Sequence, residues 1–265
     1  MRNDLKQNLL TATIYALTGL IGLAAFTYPF FLPRLVVDTS EARAETAPLL
    51  TLILLVICLG VLLLEVQGQT VSSKMVAALG VMVAASAALR FLEVAIPGPG
   101  GFSPIFVPVI FAGYVFGSRF GFLMGTLTML VSALITGGVG PWLPYQMFVA
   151  GWIGLTAGWM PHPGNPRLEL VMLIGAGIVW GIFYGLIMNL YFWPFIGIGT
   201  GQSWDQEAGL GKALGGFAAF YVTTSLVWDL ARAAGNALLI LVLGLPTIRA
   251  LTRFHDKFRF RIQGV

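Results

Sequence analysis

Charge is scarce in this 265-residue chain: Asp, Glu, Lys and Arg make up only 10% of it, against 57% hydrophobic residues. A soluble domain carries about 25% charged residues, so this chain cannot cover its surface in water. Thiols are scarcer still, with the single Cys58 set inside an apolar run. One cysteine excludes an intramolecular disulfide and cannot make a metal site alone, so Cys58 is read as packing. The two histidines, His162 and His255, both fall in polar segments expected outside the membrane. An intramembrane Ser–His site or a His-ligated zinc therefore has no imidazole at membrane depth. The Gly-x-Ser-x-Gly elbow and the Gly-x-x-x-x-Gly-Lys-[Ser/Thr] phosphate loop are also missing, which removes those routes to hydrolysis and to ATP binding. The net charge of +4 is modest, and no basic face with interleaved aromatics points to nucleic acid. The expectation is a chain that is not an enzyme and carries no cofactor or metal.

Long apolar runs are what the chain has in abundance. A bilayer offers no partners for backbone N–H and C=O groups, so such runs must be helices that satisfy themselves, and alternating barrel strands are absent. A hydrocarbon core about 30 Å thick asks for roughly 20 apolar residues per span. Eight candidates meet or approach this: Asn8–Leu32, Pro48–Val66, Ser73–Ile96, Pro104–Phe116, Phe120–Thr136, Pro144–Met160, Glu169–Ile196 and Ala213–Leu245. The fourth is short and is expected to be tilted or partly re-entrant. The first is too long for a signal-peptide core and lacks a small-residue cleavage pattern, so it is read as a retained span.

Placement of Lys and Arg sets the orientation. With the N-terminus inside, one side collects Arg2, Lys6, Lys74, Arg119, Arg167, Arg249, Arg253, Lys257, Arg259 and Arg261, and the other only Arg34, Arg43 and Lys212. Both termini are thus expected in the cytoplasm, in a multi-pass inner (plasma) membrane protein. The tail from Arg253 to Arg261 mixes basic and aromatic residues and is expected to lie on anionic lipid. The chain also divides by composition. Residues 1–70 are expected to form a plain two-helix transmembrane extension, with charge only at the end of its second span (Glu65), and residues 71–265 a core rich in Gly, Pro and Trp-bearing loops.

Ionisable groups within spans are costly and by default mark function. Here they are Arg90 and Glu93 in the third span and Asp229 and Arg232 in the eighth. At 1.5 Å per residue, Arg90 lies about 24 Å and Glu93 about 28 Å above Lys74, while Asp229 and Arg232 lie about 30 and 25 Å above Arg249. All four therefore fall in the outer third. The spacing of three puts each pair on one helix face, which allows a crossed Arg90–Asp229 and Arg232–Glu93 arrangement lining an outward pocket; the plainer alternative is a structural charge cluster near the interface.

Two loops on that side, Pro97–Pro104 and Gly137–Gln146, combine glycine freedom with rigid prolines, and the second adds Trp142, Tyr145 and Gln146. They suit closure over a ligand, or an ordinary interfacial aromatic belt. Asn189, Trp228, Tyr191 and Trp193 are further outer-half candidates. Gly80, Ala84 and Ala88 recur every four residues, a small-residue stripe that permits close helix contact either within the bundle or with another subunit.

From Ser73 onward the sequence resembles the S components, the substrate-binding membrane subunits of energy-coupling factor (ECF) vitamin transporters. The match is carried by Phe106-Val107-Pro108-Val109-Ile110-Phe111-Ala112-Gly113-Tyr114-Val115-Phe116-Gly117, by Gly121-Phe122-Leu123-Met124-Gly125, and by Gly140-Pro141-Trp142-Leu143-Pro144-Tyr145-Gln146-Met147. The last element is similar to the branch assigned to cobalamin-type substrates. The apolar runs give an all-α polytopic membrane helix bundle of about eight transmembrane helices, and the resemblance implies that the last six form an S-component core. It implies an outward pocket for a vitamin or related micronutrient, capped by the two loops above and by the stretch 197–211. Candidate substrate contacts are Arg90, Glu93, Trp142, Tyr145, Gln146, Asn189, Trp228, Asp229 and Arg232. It further implies that Ala84 and Ala88, with Gly80 extending them, pack on a transmembrane coupling protein, and that two ATPases complete the transporter. The two extra N-terminal spans depart from that pattern. A non-catalytic membrane scaffold is the competing functional class.

Overall fold

A computed structural model of the chain describes residues 73–95, 101–193 and 209–258, together with residues 13, 19, 20, 22–24 and 26 of the N-terminal part. The second expected span, Pro48–Val66, most of the stretch 197–211 and the tail beyond 258 lie outside the described residues. Among the described residues seven helices follow from Ser73: α1 (Ser73–Ala95), α2 (Phe106–Phe116), α3 (Ser118–Thr136), α4 (Leu143–Ala157), α5 (Pro166–Phe192), α6 (Gly209–Thr224) and α7 (Leu226–Phe258). No strand occurs among the described residues. Four stretches, Lys74–Ala95, Ser118–Thr136, Pro166–Phe192 and Leu226–Lys257, are long and apolar enough to cross a membrane. The architecture is an all-α polytopic membrane helix bundle.

The short fourth span has a structural explanation. Helix α2 is apolar all round and buries eight residues, from Phe106 to Tyr114, against α3, α4, α5 and α7. It is an interior helix, and its length of about 16 Å need not match the bilayer because lipid does not surround it. Gly117, with φ +94°, makes the tight turn from α2 into α3. Helices α3 and α4 then approach backbone to backbone: a Cβ on Gly121 would overlap the Gly154 carbonyl. Small residues substitute here for a solvent-driven hydrophobic force that is missing between helices in lipid. Asn165 starts α5 by accepting from the Arg167 backbone N–H, ahead of Pro166 in the first turn.

The expected single span Ala213–Leu245 is instead two helices that meet at Ser225. Three consecutive hydroxyls account for the break. Thr223 Oγ1 donates back to the Ala219 carbonyl (2.8 Å) and Thr224 Oγ1 to the Phe220 carbonyl (2.7 Å), while Ser225 Oγ donates away, to Asn189 Oδ1 of α5 (2.9 Å). Such back-bonding competes with the helical ladder and bends it. Beyond the expected end at Leu245, α7 runs on through Pro246 to Phe258.

Helix α1 packs chiefly on α3 and buries Ala78, Leu79, Val83, Ser86 and Ala87. Gly80, Ala84 and Ala88 are exposed on its other side, and nothing stands within 4 Å of a Cβ placed on Gly80. Of the N-terminal residues described, Phe26 is buried with its ring edge-on to Tyr145 (5.1 Å between centroids) and beside Trp152 (5.8 Å). Phe26 of the expected first span therefore packs on α4.

Candidate functional site

The four intramembrane charges gather where the α1–α2 connection crosses the start of α7. Glycine fixes that crossing: Gly101, at φ +82°, lies against the Trp228 backbone, and Phe102 fills the space over Gly235. The connection thereby delivers Ser103, which is almost fully buried, to the side chains of α1. Arg90 Nη1 donates to Glu93 Oε1 (2.9 Å) and to Ser103 Oγ (3.4 Å), and Ser103 Oγ donates to Glu93 Oε2 (2.8 Å). Both charged side chains are only partly buried, 30% exposed for Arg90 and 20% for Glu93.

The second pair is sealed. Asp229 is 1% exposed, and each of its oxygens has a partner: Oδ1 accepts from Arg232 Nη1 and Oδ2 from the Tyr221 hydroxyl (2.8 Å). Arg232 also donates to the Gly181 carbonyl (3.1 Å) and holds its guanidinium 5.2 Å from the Tyr184 ring centroid and 6.0 Å from that of Phe106. An intramembrane carboxylate requires such complete satisfaction, since an unpaired charge at this depth costs several kcal/mol, on the order of 3 even on insertion scales. Gly185 makes room for it, because a Cβ there would overlap the Asp229 carboxylate. With Gly177 against Asn236 and Ile240, and Gly181 against Ala233, Gly185 completes a stripe at every fourth residue that brings α5 onto α7.

The crossed Arg90–Asp229 and Arg232–Glu93 pairing is not formed. Each arginine bonds the acid three residues away on its own helix. A spacing of three places both groups on one face and within reach of each other, so the intrahelical pair forms without requiring two helices to present matching heights. The two pairs nevertheless share one electrostatic neighbourhood: the buried Tyr184 of α5 lies within reach of all four charges.

The other candidates are distributed around this centre. Asn189 joins it, donating from Nδ2 to the Gly185 carbonyl (2.7 Å) and accepting from Ser225. Tyr145 is 1% exposed and stacks on Tyr191 (3.7 Å between centroids), a wall of the α4–α5 contact. Gln146 is half-buried. Trp142 is exposed and donates from Nε1 to the Gly138 carbonyl (3.1 Å), which braces its own loop, and Trp228 is 52% exposed. Ser103, Tyr184, Tyr221 and Ser225 belong to the network and are absent from the sequence-derived set. Only Tyr221 and Ser225 carried a usable signal, two polar residues within eight positions of Asp229 in an apolar run. His162 lies at the opposite end of the bundle, stacked on Tyr114 (4.2 Å).

A multi-helix membrane bundle with a largely buried, hydrogen-bonded acid–base network at one end, opposite the arginine-rich end, defines a class: an integral membrane protein with a polar centre built into its helix packing. A sequence profile described as "ECF transporter, substrate-specific component" matches residues 74–244, and the chain belongs to that family. Comparison with curated proteins and with solved structures finds no significant match. The matched region contains α1–α6 after Ser73 and the apolar length of α7, together with both charge pairs. Members of this family are substrate-specific subunits of transporters, and this chain is such a subunit.

Proposed function

We propose that the chain captures a vitamin or related micronutrient at the outer face of the plasma membrane and delivers it inward with a separate coupling protein and two ATPase subunits. The observation that carries this reading is the convergence, inside the family-matched segment, of Arg90, Glu93, Asp229 and Arg232 around Tyr184 at one membrane end. The arginine-rich opposite end would then face the cytoplasm, with both termini. In this reading Arg90 and Glu93, the less buried pair, exchange their mutual bond for ligand contacts, while Asp229, Arg232 and Asn189 fix the pocket wall. Trp142, Tyr145, Gln146 and Trp228 contribute the aromatic and amide surroundings. A cobalamin-type corrinoid is the first compound to test, on the strength of the Gly140–Met147 element.

Residues 71–265 are proposed as the substrate-binding core and residues 1–70 as a two-helix extension. The exposed stripe of Gly80, Ala84 and Ala88 is proposed as the face that meets the coupling protein; its lack of bulk and its outward direction support this. The experiment is a thermal-unfolding screen of the purified protein against a vitamin panel. A capture subunit is stabilised by its ligand in proportion to the logarithm of concentration above Kd. A scaffold protein shows no such shift with any compound.

A further inference from the structure

At the end of the bundle opposite the charge pairs, the foot of α7, the start of α5 and the end of α2 enclose a cavity of about 590 Å³. This lies within the roughly 300–1,000 Å³ of ordinary ligand sites. Its lining is segregated: Leu245 and Ile248 provide the apolar side, and one turn further along α7 Arg249 and Arg253 provide the cationic side. The two arginines are four residues apart, which sets both guanidinium groups on one helix face. No ion pair ties either of them to an acidic residue among the described residues. The lining carries one carboxylate, Glu169, and that group is already engaged, accepting the Tyr114 hydroxyl at 3.0 Å.

Imidazoles complete the rim. His162 is stacked on Tyr114, and its Nε2 is 3.1 Å from the Tyr114 carbonyl oxygen. A carbonyl only accepts, so Nε2 carries the proton and the ring is held with Nδ1 directed elsewhere. His255 lies across the cavity with its ring edge-on to Phe116 (5.3 Å). The site is thus an anion receptor with an apolar floor, placed where the apolar length of α7 gives way to its basic end.

We propose that this cavity binds a phosphate group, through Arg249 and Arg253, with the apolar floor accepting the carbon chain next to it. Planar guanidinium forks match phosphate oxygens in pairs. A phosphate diester at a membrane edge is most abundant as a phospholipid headgroup, and basic pockets between transmembrane helices are suited to it; a soluble phosphate compound presents the same chemistry. The site is separate from the proposed substrate pocket and does not depend on it.

The test uses the full chain in a neutral detergent, delipidated, with unfolding temperature recorded against added short-chain phosphatidylglycerol, short-chain phosphatidylcholine and inorganic phosphate. The expected result is a saturable rise with phosphatidylglycerol, weakened about tenfold or more in apparent affinity by R249Q/R253Q and unchanged by R167Q/K257Q, which removes the same charge outside the cavity. E169Q should strengthen binding by removing the one opposing charge, which keeps the test decisive even where the double arginine variant folds poorly. A comparable rise with inorganic phosphate alone identifies a soluble phosphate ligand and supports the same site. A rise with either lipid or with phosphate that R249Q/R253Q leaves unchanged, or equal losses in the two double variants, would overturn the proposal.

Discussion

The Tyr221 hydroxyl donates to Asp229 Oδ2 at 2.8 Å across the break at Ser225, so the interruption between α6 and α7 and the satisfaction of a buried carboxylate are one feature. Tyr221→Phe leaves the ring and removes the donor. Loss of a hydrogen bond to a charged group costs about 1.5–3 kcal/mol, and the protein should unfold at lower temperature by that measure. Asp229→Asn in the Tyr221→Phe background should cost less than the two single changes added together, because both act on the same bond. Thermal unfolding of the four proteins in one detergent reads the coupling.

Arg232 and Asp229 are a buried pair, whereas Arg90 and Glu93 are partly exposed, and the two should respond differently to truncation. Arg232→Ala strands the Asp229 carboxylate and is expected to destabilise by about 3–5 kcal/mol. Arg90→Ala should cost about 1 kcal/mol or less in stability yet weaken ligand binding. Unfolding temperature and ligand titration of both variants separate the effects; a stability loss for Arg90→Ala as large as that for Arg232→Ala would remove the distinction between a rearrangeable and a structural pair.

Gly185→Ala and Gly175→Ala test the α5–α7 seam. A Cβ at 185 overlaps the Asp229 carboxylate, but at 175 nothing lies within 4 Å. The first change should destabilise by about 1–3 kcal/mol as overpacking does. The second should be neutral or stabilise by up to about 1 kcal/mol through helix propensity. Parallel unfolding curves check both.

Ala84→Leu should leave ligand binding unchanged and reduce co-purification with a coupling protein, since bulk on an exposed small-residue stripe holds a partner helix away. Undiminished recovery of the complex would show that this face is not the contact.

Much of this was legible in the sequence. Apolar run length located the helices from Ser73 to Thr136 to within a few residues, because in lipid a span must satisfy its own backbone. The four intramembrane charges stood out as exceptions to that rule, and the structure brings them to one end. The partners of those charges were not legible. A spacing of three permits an arginine to bond its own helix or another, and only the positions of Ser103, Tyr221 and Gly181 decide it. The break at Ser225 was hidden inside one apolar run, where Thr223, Thr224 and Ser225 lower hydropathy too little to interrupt the pattern. The shortness of the fourth run suggests a tilted or partly re-entrant span; an interior helix buried on all sides has the same apolar composition and need not match the bilayer in length. The stripe of Gly80, Ala84 and Ala88 was visible, but its direction depended on which face of α1 meets α3.

Direct binding tests the central claim that the charged centre belongs to a substrate-capture site. The protein should be purified without added vitamin, its retained small molecules identified by mass spectrometry, and the identified compound titrated into ligand-free wild type and Asp229→Ala. The account predicts one micronutrient retained near one equivalent, saturable rebinding to wild type, and affinity lowered about tenfold or more in a folded Asp229→Ala protein. No retained compound, and no saturable binding of any vitamin to wild type, would contradict it.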